Sequence, residues 1–387
     1  MALPLSYNVR NLIVRWKVTL LAIGAIALVV AVMIVLTAMA NGFRVALAAT
    51  GSTGNVIVTQ RGTNSELTSG FTRQNASMIV VDPRVARDGQ GRPLASPEIV
   101  VLASLPRRDG PEVNVLLRGV SPMAFTVRRG VRLVQGRNFT PGLYELIVGK
   151  KAAERYQGLD VARTIKLQRR TWTVVGVFEA DGSGFESEIW GDVEVMAPAF
   201  NRTNGYQSLT LRLKDPATVT AFDDDLRRNP SMQVQAVQER KFYEDQAGPV
   251  ARALLALAVF VAIIMGIGAV FGAMNTMYAI VVARTREIGT LRALGFSRTS
   301  ILISFVIESM FLALVGGLIG CLVGLPANGI SSATGGANFS EVAFAFRISL
   351  AAVAVGVIFA LLMGLAGGLF PAIRAARLPI TAALREA

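Results

Sequence analysis

Four long apolar runs organise the chain. Residues 18–43, 253–283 and 348–370 carry no charged side chain, and residues 301–325 carry one. Each run is long enough to cross a hydrocarbon layer of about 30 Å as a helix, with some tilt. The pattern therefore predicts four transmembrane helices. The first lies within residues 1–43, which also include an interfacial lead-in, and the others lie at 249–283, 299–325 and 348–371.

The lead-in precedes the first apolar run. Val9, Leu12, Ile13 and Trp16 recur at helical spacing, which predicts a short interfacial helix with Trp16 at headgroup depth. An alternative is a signal peptide, because the A-M-A at 38–40 resembles a cleavage site. The run exceeds the roughly 7–15 residues of a typical signal-peptide apolar region, so we expect it to stay as an anchor.

Residues 44–248 have a different pattern, with short apolar stretches between turn residues. Such alternation predicts strands, and two longer periodic segments predict helices. The predicted strands are 55–60, 99–103, 113–120, 145–148, 171–178 and 209–213, and the predicted helices are 150–157 and 218–228. We expect an α+β domain inserted between the first and second spans.

A charged segment separates the second and third spans. It reads V-V-A-R-T-R-E-I-G-T-L-R-A-L-G-F-S-R, with an apolar stripe at Ile288, Leu291 and Leu294. Gly295 is typical of a helix end, and Ser297 of the next helix start. Residues 284–298 are thus predicted to form a short amphipathic helix that docks on something outside the membrane. The alternative is a basic loop that only fixes topology.

The distribution of charge predicts the orientation. Residues 44–248 hold 27 basic and 22 acidic residues, whereas the rest of the chain holds 12 basic and 4 acidic ones in short segments beside the apolar runs. Positive flanks of this kind remain in the cytoplasm. We therefore expect the N-terminal flank, the 284–298 segment and the basic tail at 372–387 on the cytoplasmic side. The 44–248 domain and a Gly/Ser/Ala-rich loop at 326–347 are expected outside.

Composition excludes several kinds of chemistry. The chain is 52% hydrophobic, and its net charge of +13 forms no basic stripe with interleaved aromatics, so we expect no nucleic-acid partner. It has no histidine, which removes the usual general base and zinc ligand. The single cysteine, Cys321, lies in an apolar run as a buried small hydrophobe. We predict no catalytic residue and no metal site.

One segment superficially resembles a nucleotide-binding loop. Gly142 to Lys150 has the wrong glycine spacing, and Lys151 stands where the magnesium-binding Ser/Thr would be. We expect no nucleotide or other cofactor on this chain.

The apolar runs contain two features of their own. Glycines recur four residues apart, a spacing that lets membrane helices pack within the chain or against a second copy, although glycine is also simply common in such helices. These predicted packing positions are Gly268, Gly272, Gly316, Gly320, Gly324, Gly364 and Gly368. Glu308 lies inside the third run, where a charge is either functional or paired; we expect an ion pair with Arg298 or Arg374.

One further hypothesis concerns enzyme activity of the 44–248 domain. Glu186, Glu188 and Asp192 in G-F-E-S-E-I-W-G-D are able in principle to bind a metal or act as paired carboxylates. Such a run is more often a solvated edge, and the absence of histidine argues against catalysis.

Two motifs resemble those of a known family. R-E-I-G-T-L-R-A-L-G and the ending P-A-I-R-A-A-R-L-P-I-T-A-A-L-R are similar to the MacB/FtsX/LolC-type permeases of ABC transporters, the mechanotransmission group. E-L-I-V-G-K-K-A-A and W-T-V-V-G-V-F resemble that family's periplasmic core less specifically. The implied fold is an α-helical membrane domain of four transmembrane helices with a large α+β extracytoplasmic domain between helices 1 and 2.

The resemblance also implies a function and partners. The 284–298 segment would be the coupling helix on which a separate ABC ATPase subunit, carrying ATP and magnesium, docks. Two permease copies are implied, as a homodimer or with a paralogue, in membrane lipid of the bacterial inner membrane; a periplasmic adaptor is left open. The ATPase-coupling residues would be Arg284, Arg286, Glu287, Ile288, Gly289, Leu291, Arg292, Ala293, Leu294 and Gly295.

Within this family, two roles remain open. The first is export or extraction of an amphiphile, lipoprotein, glycolipid or drug, driven by movement of the outer domain. The second is FtsX-like signalling, in which ATP hydrolysis activates an external partner and nothing is transported. The sequence does not separate them.

Overall fold

The computed structural model describes residues 16–334 and 342–379. The chain divides into two compact units. We call them the helical unit, which comprises Met1–Gly42, Arg252–Ile330 and Phe346–Ala387, and the sheet unit, which comprises Phe43–Ala251 and Ser331–Ala345. The predicted interfacial helix before Trp16 and the end of the basic tail, including Arg385, lie outside the described residues.

The described chain contains four long and six short α-helices. They are α1 Trp16–Ala48, α2 Arg73–Val80, α3 Ala124–Val127, α4 Lys150–Arg155, α5 Val193–Ala199, α6 Val219–Arg228, α7 Glu239–Ala283, α8 Thr285–Ala293, α9 Arg298–Gly324 and α10 Leu350–Ala376. Four of them, α1, α7, α9 and α10, are long and apolar enough to cross a membrane, by length and composition.

Several helix boundaries differ from the predicted ones: α1 continues past residue 43 to Ala48, and α8 ends at Ala293 within the predicted 284–298 segment. Helix α7 begins at Glu239, ten residues before the predicted start, because Phe242 and Tyr243 are buried in the core of the sheet unit and extend the helix through a polar stretch. Helix α10 continues through Pro371 to Ala376, whereas the sequence predicted an end at the proline. Neighbouring helices in apolar helical domains tolerate such a proline.

The sheet unit is built on a mixed ten-stranded sheet. Its strands are β1 Asn55–Gln60, β3 Ala95–Pro106, β4 Glu112–Val120, β5 Arg132–Gly136, β6 Glu145–Gly149, β7 Thr164–Leu167, β8 Arg170–Glu179, β9 Ile189–Asp192, β11 Ser208–Arg212 and β12 Val234–Gln238, beside a small separate pair, β2 Phe71–Thr72 and β10 Gly205–Tyr206. The strand order in the sheet is β12-β1-β11-β3-β4-β9-β6-β8-β5, with β7 paired to β8, and the β4/β9 and β6/β8 pairs are parallel. All six predicted strands and both predicted helices are present, so the α+β prediction is confirmed.

Both faces of this sheet are covered. Successive side chains on a strand point to opposite faces. In β1, Val56 and Val58 belong to one buried cluster, while Ile57 belongs to another that also contains Trp190 and Tyr243. Central strands therefore consist of nearly continuous apolar residues, as strands buried on both faces do.

The predicted 326–347 loop contains regular structure. Strands β13 Ser331–Thr334 and β14 Val342–Ala345 pair antiparallel, so this segment between α9 and α10 contains a hairpin that the sequence did not predict. Phe344 is fully buried against Phe43 with ring centroids 5.5 Å apart. Burial of Phe344 in the sheet unit explains why β14 forms in a segment whose Gly/Ser/Ala composition did not predict a strand.

Candidate functional site

Helix α8 occupies the charged segment between α7 and α9. The chain leaves helical geometry at Arg284, with φ −113° and ψ 13°, and then forms α8 over nine residues. The Arg284 guanidinium turns inward and donates from Nη1 to Glu308 Oε2 at 2.8 Å and from Nε to Glu287 Oε2 at 3.1 Å. It also lies over the Phe305 ring, 4.9 Å from its centroid. The start of α8 is therefore tied to α9.

This contact corrects the predicted partner of Glu308. Glu308 is 1% exposed and pairs with Arg284, whereas the sequence suggested Arg298 or Arg374. Arg374 instead lies over the Tyr278 ring at 5.6 Å, and Arg298 is exposed. A charge in an apolar helix needs a close partner. The interruption of the helix at Arg284 brings the side chain of this residue next to Glu308.

The predicted coupling residues divide into three groups by exposure. Arg284, Ile288 and Gly289 are buried within the helical unit, and Leu291 and Arg292 are partly buried. The exposed ones are Arg286, Glu287, Ala293, Leu294 and Gly295. The predicted apolar stripe does not face one way, because Ile288 packs inward while Leu294, the C-cap, is 72% exposed. Thr290, which the prediction omitted, is exposed one turn after Arg286.

The C-terminal end of α8 agrees with the sequence signals. Gly295 adopts φ +94°, the left-handed region that glycine enters without strain. Ser297 then caps α9, its side chain accepting from the Ser300 N–H at 3.1 Å. The predicted stop and start are confirmed.

The predicted packing glycines also divide into two groups. Added Cβ atoms at Gly316, Gly320 and Gly324 would meet residues of α1, and those at Gly364 and Gly368 would meet Ser309 or Ala313 of α9. The Gly320 position is tight, with the Ala27 carbonyl oxygen at 2.5 Å.

The remaining two, Gly268 and Gly272 on α7, have nothing within 4 Å of an added Cβ. They form an open face within the described chain.

The three carboxylates considered for catalysis have structural roles. Glu186 accepts backbone N–H groups from Ala180 and Gly182, at 3.0 and 2.8 Å. Burial raises the pKa of Glu186, but these donors and Lys151 outweigh it and lower the pKa below its ordinary value. Asp192 caps α5 through the Glu194 N–H at 3.1 Å. Within residues 16–334 and 342–379, no group of three or more His, Cys, Asp or Glu is arranged to hold a metal.

Glu188 belongs to a buried charge cluster that sequence reasoning missed. Its centre is Arg118, 1% exposed, which donates to Glu66 at 2.6 Å, Glu98 at 2.9 Å and Glu188 at 2.8 Å. A second buried arginine, Arg128, pairs with Glu98 and donates from Nε to Glu239 at 2.9 Å. The available signal was an arginine inside an apolar strand, L-L-R-G-V, which burial forces to find partners.

The cluster perturbs its carboxylates in opposite directions. Burial raises the pKa of Glu66, but the charge and hydrogen bonds of Arg118 dominate and bring this pKa down to about 2. Burial raises the pKa of Glu188 above its ordinary value, with Arg118 opposing the shift only in part. The cluster therefore stabilises the ionised form of Glu66, whereas burial disfavours the ionised form of Glu188.

Comparisons with known proteins agree with this architecture. Residues 19–229 match the MacB-like periplasmic core domain, and residues 259–380 match the FtsX-like permease C-terminal domain. The macrolide export ATP-binding/permease protein MacB of Brucella abortus is 29% identical over 57% of this chain and 34% of that protein. The MacB of Neisseria gonorrhoeae is 27% identical over 71% of this chain and 44% of that protein.

A relative without the macrolide name gives a similar result. The uncharacterized ABC transporter permease YknZ of Bacillus subtilis is 30% identical over 51% of this chain and 49% of that protein. The chain thus spans between a third and a half of the length of these relatives. The periplasmic region of MacB from Actinobacillus actinomycetemcomitans aligns with a TM-score of 0.39 and 12% identity, over 51% of this chain and 94% of that structure.

These matches define a membrane-embedded permease of the ABC transporter class. The first domain match alone covers more than half of the chain. The chain belongs to the MacB/FtsX-type permease family, as the two sequence motifs indicated.

Proposed function

We propose that this permease couples ATP hydrolysis by a separate nucleotide-binding subunit to movement of its sheet unit outside the cytoplasmic membrane. In this proposal both chain termini and α8 are cytoplasmic, and the partner holds ATP and magnesium. The movement drives export or extraction of an amphiphile such as a lipoprotein, glycolipid or drug.

The observation that carries the proposal is the two-sided construction of α8. Its inner side is buried at Ile288 and Gly289 and the preceding Arg284 pairs with Glu308 of α9. Arg286, Glu287 and Thr290 are exposed. A helix that must receive force from a docked subunit needs both an exposed polar face and a fixed buried face. Glu287 contributes to both, because its carboxylate touches Arg284 while half of its side chain remains exposed.

A second permease copy completes the proposal. An ABC machine works with two coupled ATPase sites, so two permeases have to present two α8 helices. Helix α7 offers a face for this, since a Cβ added at Gly268 or Gly272 would have no other part of the described chain within 4 Å. Ile267 and Phe271 beside them are more than half exposed. Small residues four apart permit close helix contact in lipid.

Export is preferred to signalling because the relatives from Brucella and Neisseria are named for macrolide export. The same coupled movement suits an FtsX-like transmitter that activates an external partner. Accumulation assays separate the two roles: deletion of an exporter raises cellular retention of an amphiphile, whereas deletion of a transmitter leaves retention unchanged.

The coupling proposal is tested with the permease and its cognate ABC ATPase subunit in nanodiscs. Glu287→Ala and Arg292→Ala are each expected to detach the ATPase or to uncouple its ATP turnover from the permease. The matched control is Glu244→Ala, which removes a similarly exposed carboxylate from a helical pair with Arg240. If the α8 variants behave like the control in both assembly and turnover, the segment only fixes topology and the coupling proposal fails.

A further inference from the structure

The 3₁₀ turn Gly184–Ser187 is a buried meeting point in the sheet unit. All four of its residues are buried, and the following Glu188 joins the Arg118 cluster. The turn lies in the G-F-E-S-E-I-W-G-D stretch that first suggested catalysis. Its contacts reach three segments through which the chain passes between the two units: the end of α1, the start of α7, and the β13–β14 hairpin.

The first contact is with the end of α1. The Gly184 N–H donates to Thr50 Oγ1 at 2.8 Å, and the same hydroxyl donates to the Ala46 carbonyl in the last turn of the helix at 2.9 Å. A Cβ on Gly184 would lie 2.9 Å from Thr50 Oγ1 and 3.6 Å from Leu47. Position 184 is therefore closely fitted to this helix end.

The second contact is with the start of α7. The Phe185 ring packs edge-on against Tyr243, with centroids 5.8 Å apart. The guanidinium carbons of Arg128 and Arg118 lie 4.8 and 5.4 Å from the same ring, at cation–π distance. Arg128 in turn binds Glu239, the first residue of α7. Phe185 thus sits among the groups that fix the beginning of this helix.

The third contact is with the hairpin. The Ala343 N–H donates to Ser187 Oγ at 2.9 Å, and Val342 Cγ1 would lie 3.7 Å from a Cβ on Gly184. On the opposite side the turn rests on the sheet, where a Cβ on Gly149 of β6 would meet the Glu186 carbonyl oxygen at 2.3 Å. The Gly149 N–H also donates to the Glu188 carbonyl at 2.9 Å. One turn therefore connects all three segments to one strand.

We infer that Gly184–Glu188 is the transmission joint of this permease, a rigid group of positioning residues through which ATP-driven movement of the apolar helices enters the sheet unit. The inference rests on the proposed function. Dense packing with buried hydrogen bonds transmits displacement, because close-packed interiors deform little. Loosening the joint leaves the ATPase running while the sheet unit no longer responds.

A reversible variant tests this without depending on a misfolded mutant. In a disulfide, one cysteine's Cβ lies about 3 Å from the other's sulfur, which matches the Gly184 to Thr50 spacing. In Thr50→Cys with Gly184→Cys, in a Cys321→Ala background, the two reduced side chains are too close to pack and push the turn away from α1, whereas the oxidised pair is held by the disulfide. The readouts are ATP turnover and the nucleotide-dependent change in hydrogen exchange of β3 and β4, in nanodiscs with the cognate ATPase.

The oxidised pair is expected to keep the wild-type exchange change, and the reduced pair to lose it while retaining ATP turnover. An exchange change that persists in the reduced pair, or disappears only on oxidation, overturns the joint. If the wild-type complex itself shows no nucleotide-dependent change, the proposed function fails and the joint with it.

Single substitutions provide an independent arm. Ser187→Ala removes the acceptor for the Ala343 N–H. The matched control is Ser96→Ala on β3, an equally buried serine whose hydroxyl accepts the Ser121 N–H at 3.3 Å. Loss of the exchange change with Ser187→Ala but not with Ser96→Ala supports the joint; equal behaviour of the two variants contradicts it.

Discussion

Arg284 Nη1 lies 2.8 Å from Glu308 Oε2, and this buried ion pair joins the start of α8 to α9. The two residues are 24 positions apart, so neither helical spacing nor local sequence revealed the pair. Because each of the two charges is enclosed by apolar helices, removing one leaves the other without its closest counter-charge.

The pair predicts a non-additive mutant cycle. Arg284→Met or Glu308→Leu alone is expected to cost about 3 kcal/mol of unfolding free energy, because the remaining buried charge loses its closest counter-charge. The double variant is expected to recover most of that loss. Chemical unfolding in detergent measures the cycle.

Arg298→Met is the control for this cycle, since that arginine is exposed. It is expected to change stability by no more than about 0.5 kcal/mol. Additive losses from the two single variants would show that the ion pair makes no specific contribution.

Helix contact is tested by paired glycine substitutions. Gly320→Val places a Cβ 2.5 Å from the Ala27 carbonyl oxygen, so we expect loss of the folded permease. Gly272→Val meets nothing within 4 Å, so we expect a folded chain with weaker self-association. Size-exclusion chromatography with light scattering and thermal unfolding distinguish the two results. If Gly272→Val leaves self-association intact, the open face of α7 contacts lipid instead.

The pKa of Glu66 predicts acid sensitivity. The folded-state pKa is about 2 against an ordinary value of 4.5, so this carboxylate stabilises the fold above about pH 4.5 and the stabilisation disappears as the pH falls toward 2. Glu66→Gln is expected to cost about 3 kcal/mol near pH 7 and to flatten the decline at low pH. Thermal unfolding across this range provides the measurement.

Glu188 provides the contrast, because its folded-state pKa is raised. Its stabilising contribution is present below the ordinary carboxyl pKa and declines as pH rises through the raised value. Glu188→Gln is therefore expected to cost less than Glu66→Gln near pH 7. Equal losses would contradict the asymmetry within the Arg118 cluster.

Asp192 is expected to act as a helix cap and not as a metal ligand. Asp192→Ala should cost about 1 kcal/mol, the usual value of a lost N-cap, and should also loosen the Gly142 N–H that the carboxylate accepts at 2.7 Å. The unfolding temperature of the wild type is expected to be unchanged by added Mg²⁺ or Ca²⁺. A stabilisation by either ion that Asp192→Ala abolishes would revive the metal hypothesis.

Local signals predicted local structure well. The β1 strand Asn55–Gln60 and the α8 end at Gly295 were predicted because alternation and capping operate within a few residues. The early start of α7 was missed, because its polar first turns are held by Arg128 and Phe185, which are distant in sequence.

In the candidate site, too, local features were predicted and contacts between distant residues were not. The position of α8 and its exposed charged residues were predicted from the sequence. The assignment of Arg284 to the buried side, the Arg118 cluster and the Gly184–Ser187 contacts depend on residues brought together from distant strands and helices. Such pairings leave no periodic pattern in a single chain.

The place of the β13–β14 hairpin in the sheet unit sets an order of events during synthesis. The main part of that unit ends at Ala251, yet the hairpin that buries Phe43 ends at Ala345, about 90 residues later. At ribosomal rates of about 5–20 residues per second, the delay is roughly 5–20 s. During that interval the hairpin does not yet cover Ser187 and Phe43, so the nascent domain has an unfinished edge until the hairpin that follows the third long helix has been made. Chaperone or protease recognition of this permease would fall within that interval.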